Sequence, residues 1–201
     1  PIQSRDHTER MLSFMGAKIK SEETSDSGWK VTLEGLPNLK NCDFIVPNDP
    51  SSAAFPIVAA LILPKSDITI KNVCVNKLRT GFIKTLIEMG GNIRIFNEQD
   101  LCGENVADLQ IKSSKLHGVI IPPERAPTMI DEYPIISIAA CFAKGKTIMN
   151  GVKDLRNKET DRIKEVVNNL NRLNIKTESS EDKMSIQGIE SNCIEGGLEV
   201  D

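Results

Sequence analysis

Residues 7–20 read HTERMLSFMGAKIK, and residues 81–94 read GFIKTLIEMGGNIR. Laid over each other, Met15-Gly16 falls on Met89-Gly90 at an offset of 74 residues. A looser third copy, residues 161–176, ends in RLNIK, and Ile19, Ile93 and Ile175 take matching places after the helix. Each copy carries apolar residues three or four apart, the spacing of one helix face, and then turns into a strand. In the second copy Phe82, Leu86 and Met89 form the inward stripe, with Ile83 and Ile87 beside it. Gly90 or Gly91 supplies the positive-φ residue that closes the helix, and in the third copy Asn171 or Asn174 must do so.

A further helix–strand pair precedes two of these copies. Residues 51–63 predict a helix, with Ser51 and Ser52 as caps after Pro50, and residues 67–73 alternate as a strand. Residues 131–143 and 146–149 are the counterpart, with Phe55-Pro56 and Tyr133-Pro134 offset by 78. Closing strands are expected at 29–33, 107–111 and 183–187, with 97–106 and 178–182 as polar turns. The fold class is therefore α/β (α+β), built on a helix–strand–helix–strand–strand unit of about 75–80 residues, present some two and a half times. A strand at 43–46 followed by Pro47-Asn48-Asp49-Pro50 marks a joint. It divides the chain into residues 1–46 and 47–201. Residues 190–201 show little periodicity and read as a frayed end.

Lys+Arg 25 against Asp+Glu 28 gives a net charge of −3, which argues against a nucleic-acid protein but leaves room for a local cationic pocket. Aromatics are 4%, too few for a base-stacking platform. Five cysteines with wide spacing and no C-x-x-C read as reduced thiols of a cytoplasmic protein, not a disulfide frame or a zinc site. His7 and His117 lie far apart, and His7 reads as a helix residue. The longest apolar run, 53–63, contains Pro56 and is too short to span a bilayer.

The most charged stretch is Arg156-Asn157-Lys158-Glu159-Thr160-Asp161-Arg162. It predicts a helix over 158–173 capped by Asn157, with Lys158 and Arg162 on one face. Like charges at that spacing cost about 0.2–0.5 kcal/mol, and cations at a helix start oppose its dipole. An anion there would offset both, held partly by the free N–H groups; the alternative is a solvated charged face. Upstream, Pro127-Thr128-Met129-Ile130-Asp131-Glu132-Tyr133-Pro134 puts an acid pair at the mouth of an apolar helix.

These two stretches, with Ala-Ala-Cys-Phe-Ala-Lys-Gly at 139–145, Ser-Arg-Asp-His-Thr-Glu at 4–9 and Asp-Pro-Ser-Ser-Ala-Ala-Phe-Pro at 49–56, closely resemble the enolpyruvylshikimate-phosphate synthase family. The resemblance is to its second class, often insensitive to glyphosate. It implies an inside-out α/β architecture of two lobes, each of three such units, with the site in the cleft between them. Residues 1–46 would be the tail of one lobe and 47–201 two units of the other. The implied substrates are phosphoenolpyruvate and shikimate 3-phosphate, with no cofactor, no metal, no nucleic acid and no membrane, in an enzyme that is monomeric when complete.

By the same resemblance Asp131 is the base at the substrate hydroxyl and Glu159 the proton shuttle at the methylene carbon. Lys158 contacts the shikimate phosphate, and Arg162 forks onto phosphoenolpyruvate. Arg5 reaches the shikimate phosphate across the cleft or is a surface arginine. Arg156 either borders the site or makes a structural ion pair. The family pattern also has a lysine-bearing Gly-Asp-Lys-Ser stretch before this region and an Asp-His-Arg stretch after it. The expectation is a fragment, inactive alone, whose partners include the missing segments. Two alternatives stand beside this reading. One is a transferase acting on a UDP-sugar (UDP-N-acetylglucosamine), with Cys102 as the only loop-like cysteine among acidic neighbours that work against its reactivity. The other is a non-catalytic scaffold that exposes apolar surface.

Overall fold

The computed structural model describes residues 3–26 and 28–189. Three helix ends explain how the repeat is built. Helix α1 (His7–Phe14), α3 (Gly81–Glu88) and α5 (Arg162–Arg172) each end in the same hydrogen-bond pair. Ala17, Gly91 and Ile175 donate back to Leu12, Leu86 and Leu170, while Gly16, Gly90 and Asn174 donate to Ser13, Ile87 and Asn171. That is the Schellman closure, which needs a left-handed residue just past the helix. Gly16, Gly90 and Asn174 have φ of 95°, 91° and 58°. Of the candidates in the sequence, Gly90 and Asn174 take the position, and Gly91 and Asn171 do not.

The first full unit runs α2 (Pro50–Ile62), β3 (Asp67–Cys74), α3, β4 (Asn92–Leu101) and β5 (Glu104–Lys112). The second runs α4 (Tyr133–Cys141), β7 (Lys146–Asn150), α5, β8 (Thr177–Ser180) and β9 (Lys183–Gln187), with a short β6 (Ile120–Ile121) added alongside. Before them, α1 leads to a hairpin of β1 (Ile19–Glu23) and β2 (Trp29–Leu33), with Ile19 opposite Leu33. One three-stranded sheet has the order β3-β5-β4, all antiparallel. One four-stranded sheet has the order β6-β7-β9-β8, parallel only between β6 and β7.

Helices α2, α3 and α4 supply most of the core, and the two larger sheets pack against them. Helix α4 packs against α2, α3, α5 and β9, and Tyr133, Ile136, Ala139, Ala140 and Cys141 are all buried. A helix enclosed on most sides cannot be amphipathic. Its small Ala residues let α2 approach, where Ala54, Ile57 and Leu61 are fully buried. Phe82, Ile83 and Leu86 on α3 and Met89 at its C-cap are buried, so the expected stripe holds; of the two residues expected beside it, Ile83 is buried and Ile87 is 43% exposed.

Several boundaries differ from the sequence reading. Residues 43–46 form no strand; Ile45 and Val46 are exposed and no described residue pairs with them as a strand. Residues 97–106 are a hairpin, not a polar turn: the strands run to Leu101 and from Glu104, and only Cys102 and Gly103 turn. Both have positive φ, 55° and 87°, as a two-residue hairpin loop requires. The polar side chains of 97–100 belong to an exposed edge strand, where polarity is no sign of a turn. Residues 178–180 likewise belong to β8, which leaves 181–182 as the turn. The frayed end assigned to 190–201 lies outside the described residues. No helix among the described residues is long and apolar enough to cross a membrane.

Candidate active site

The helix expected over 158–173 starts later, at Arg162. Residues Lys153–Asn157 wind a separate 3-10 turn, pinned because Val152 and Leu155 are buried and Lys153 N–H donates to Asp182. Lys158 is then extended, with φ −82° and ψ −162°. The N-cap is Asp161, whose Oδ1 accepts from Lys164 N–H at 3.0 Å; Asn157 does not cap it. Two corrections follow. Lys158 and Arg162 do not share a helix face, and of the N–H groups expected to help hold an anion, that of Lys164 is taken by Asp161.

Lys158 and Arg162 meet all the same, through Asp131. Asp131 sits in a 3-10 turn, Ile130–Glu132, just ahead of α4 and not within it. Lys158 Nζ donates to its Oδ1 at 3.2 Å and Arg162 Nη1 to the same oxygen at 3.3 Å. Arg5 Nη2 donates to Oδ2. The second arm of the Arg162 fork donates to Glu159 Oε2 at 2.8 Å. Three cations and two carboxylates thus converge, leaving the cluster net positive.

Partial burial by itself would raise the Asp131 pKa. The hydrogen bonds from Arg5 and Lys158 and their charges outweigh it, so the carboxyl titrates below its ordinary range. Glu159 is mostly exposed and is also held low, first by its own backbone N–H and then by Arg162. Beside the cluster lies a cavity of about 450 Å³, lined by Ser4, Arg5, Pro127, Ile130, Gly151 and Lys158. A second groove of similar volume, along Phe55, Ile135, Ile138, Val166 and Leu170, also touches Arg162 but is almost wholly apolar. Of these two, the first is the one that offers polar walls to a charged guest.

Arg156 faces elsewhere. Nη1 donates to Asp161 Oδ2 at 2.7 Å, and the rest of its guanidinium binds the carbonyls of Ser180 and Glu181. Of its two sequence readings, this geometry matches the structural ion pair. Ser51 and Ser52 are not caps; Asp49 is, accepting from both of their N–H groups at 3.1 Å.

Ser51 instead joins a group that sequence reasoning missed. Its hydroxyl donates to Glu132 and accepts from Arg79 Nη2 at 2.7 Å. Glu132 is only 2% exposed, and burial, opposed by Ser51 and Arg79, raises its pKa. The neighbouring acids therefore part: Asp131 turns out to the cations and Glu132 turns in. The adjacency was visible, but the direction of each side chain was not.

The sequence model of the family described as EPSP synthase (3-phosphoshikimate 1-carboxyvinyltransferase) matches residues 2–198. The chain belongs to the EPSP synthase family. A 3-phosphoshikimate 1-carboxyvinyltransferase of Mesorhizobium japonicum is 49% identical over 189 residues, 94% of this chain and 42% of the relative. A solved EPSP synthase from Acinetobacter baumannii is 39% identical with a TM-score of 0.86, covering 94% of this chain and 41% of that one. The enolpyruvyl transferase NikO from Streptomyces tendae shares the fold, with a TM-score of 0.65 at 16% identity. The α/β reading stands. The chain spans about two fifths of the length of these relatives. Membership of the EPSP synthase family disfavours the UDP-sugar alternative. Cys102, on which it relied, sits in the β4–β5 turn and lines neither the charged cluster nor the cavity beside it.

Proposed function

We propose that this chain supplies the Asp131–Lys158–Glu159–Arg162 side, with Arg5, of a site that transfers the enolpyruvyl group of phosphoenolpyruvate to the 5-hydroxyl of shikimate 3-phosphate. The observation that carries the reading is one carboxylate in contact with three cations from two distant segments, residue 5 and residues 158–162, beside a cavity with polar walls. Such a cluster suits guests bearing phosphates and a carboxylate. Residues 1–46 belong to one lobe in this reading and 47–201 to the other, and Arg5 reaches across.

The methylene carbon of phosphoenolpyruvate gains a proton, and the adjacent carbon becomes cationic. The 5-hydroxyl attacks it and gives up its proton. Loss of phosphate and of a methyl proton then restores the double bond. Asp131 accepts the hydroxyl proton, and Glu159 carries the proton to and from the methylene carbon. The surrounding cations and N–H groups lower both carboxyl pKa values, so at neutral pH Glu159 first takes up from solvent the proton that it passes to the methylene carbon. Binding draws Lys158 and Arg5 toward the shikimate phosphate and Arg162 toward the phosphoenolpyruvate carboxylate. Each carboxylate loses part of its cationic contact and becomes more basic as the substrates arrive. The remaining contacts come from segments of the relatives outside the matched region.

The test is a chimera in which this chain replaces its matched segment in the Mesorhizobium relative. Phosphate release that requires both phosphoenolpyruvate and shikimate 3-phosphate supports the reading. A folded chimera that is inactive with that pair, or active only with a UDP-sugar acceptor, refutes it.

A further inference from the structure

A second cluster lies where α1 meets the β3-β5-β4 sheet. His7, at the start of α1, Cys74, at the end of β3, and Glu104, at the start of β5, bring a ring nitrogen, a sulfur and a carboxylate oxygen within 4.8 Å of one another. Cys74 and Glu104 are 4% and 7% exposed. A β-bulge between Ile70 and Val73 shifts the register of β3. Cys74 then pairs with Val106 in the sheet, two residues from Glu104. We propose that these three side chains form a binding site for a zinc-class divalent cation, which fastens α1 to the sheet.

The donor set is the first argument. Imidazole, thiolate and carboxylate together suit a borderline cation such as zinc or cobalt, and three protein ligands leave a fourth position for water. The half-exposed side of His7 gives that water access.

The distances are the second argument. In a tetrahedral site, ligand atoms stand roughly 3.3–3.7 Å apart. Cys74 Sγ lies 3.9 Å from Glu104 Oε2 and has only a few tenths to close. His7 Nδ1 is hydrogen-bonded at 2.5 Å to the other carboxylate oxygen, Oε1; this contact has to open by about an ångström and the carboxylate has to turn so that one oxygen faces the cation. His7 is the residue that can give way, because α1 has no buried residue.

Charge and surroundings are the third. A buried carboxylate wants a cation; Glu104 has the His7 ring nitrogen against it, while the permanently charged Arg10 nearby directs its donors to Asp6, the Gly103 carbonyl and Asn105. The incoming cation displaces the Cys74 proton to solvent, and the bound thiolate with the carboxylates of Glu104 and Asp6 then balances the dication plus Arg10. Asn76 donates to Glu104 Oε2 at 3.3 Å and to Asp6 Oδ1 at 2.6 Å, the outer support that orients metal ligands. The cation ties the segment carrying Arg5, two residues before His7, to the sheet of the first full unit. It therefore steadies the Arg5 contact with Asp131.

Titration of the full chain with cobalt(II) tests this, using a chain in which Cys42, Cys102 and Cys193 are replaced by Ser. The expected result is one equivalent bound, with a thiolate-to-cobalt absorption band that zinc abolishes. Cys74→Ser should remove the band. His7→Gln should weaken binding at least about 100-fold, since even loss of an outer partner costs on the order of 10–100-fold. Circular dichroism establishes that each variant is folded. A folded parent chain with no band at stoichiometric cobalt overturns the proposal. So does a band that survives Cys74→Ser, or binding unchanged in His7→Gln.

Discussion

Arg5 and Asp131 are 126 residues apart in the chain and in direct contact, guanidinium to carboxylate. The contact joins the segment before α1 to the turn before α4, and it is the leading reason that the Asp131 pKa falls in spite of burial. Arg5→Ala should therefore move the Asp131 titration up toward the ordinary aspartate value of 3.8, as read by carboxyl NMR. A depressed carboxyl stabilises the fold above its ordinary pKa and loses that contribution as pH falls through the depressed value. Arg5→Ala should thus flatten the acid limb of stability while costing at most about 1 kcal/mol at neutral pH, because the pair is partly exposed. An unchanged Asp131 titration contradicts this.

Glu132 gives the opposite sign. Burial raises its pKa, so its contribution to stability is full below the ordinary glutamate value of 4.5 and is lost as pH rises through the raised one. Glu132→Gln can still accept from Ser51, and Arg79 keeps Ser51 and Asp49 as partners. Stability of the variant relative to the parent, from urea unfolding, should grow between about pH 4 and pH 7. A difference that shrinks over that interval counts against the argument.

Two rival caps can be separated by mutation. Asp161→Ala should cost about 0.5–2 kcal/mol, because Asp161 caps α5 and also holds Arg156. Asn157→Ala should change stability by no more than about 0.5 kcal/mol, because Asn157 is exposed and ends a separate turn. Reversed magnitudes in denaturant midpoints would restore the sequence-based boundary.

What could be read in advance follows from which forces are local. Helix closure is local: a left-handed residue favours Gly or Asn, so Met-Gly, Met-Gly and Leu-Asn displayed the repeat. The start of α5 was misread because Asn157 and Asp161 are both good caps. The choice between them was made by the burial of Val152 and Leu155, a tertiary effect. The meeting of Asp131 with Lys158, Glu159 and Arg162 was legible only through the family resemblance that their two compact motifs carry; spacing alone does not bring them together. The turn of Glu132 toward Ser51 and Arg79 was not, since neighbouring acids look alike in sequence. His7, Cys74 and Glu104 were hidden more deeply. Metal-site spacing rules find ligands close in sequence, and these come from three elements brought together only by the bulge in β3 and the docking of α1.

In the proposed enolpyruvyl transfer Asp131 takes the proton of the attacking hydroxyl, and steady-state kinetics of Asp131→Asn in the chimera decides whether it does. The kcat should fall by about 10²–10⁴-fold, with the KM for each substrate changed by no more than a few fold. A kcat within about twofold of the parent would remove Asp131 from the chemistry and leave the cluster as a set of surface ion pairs.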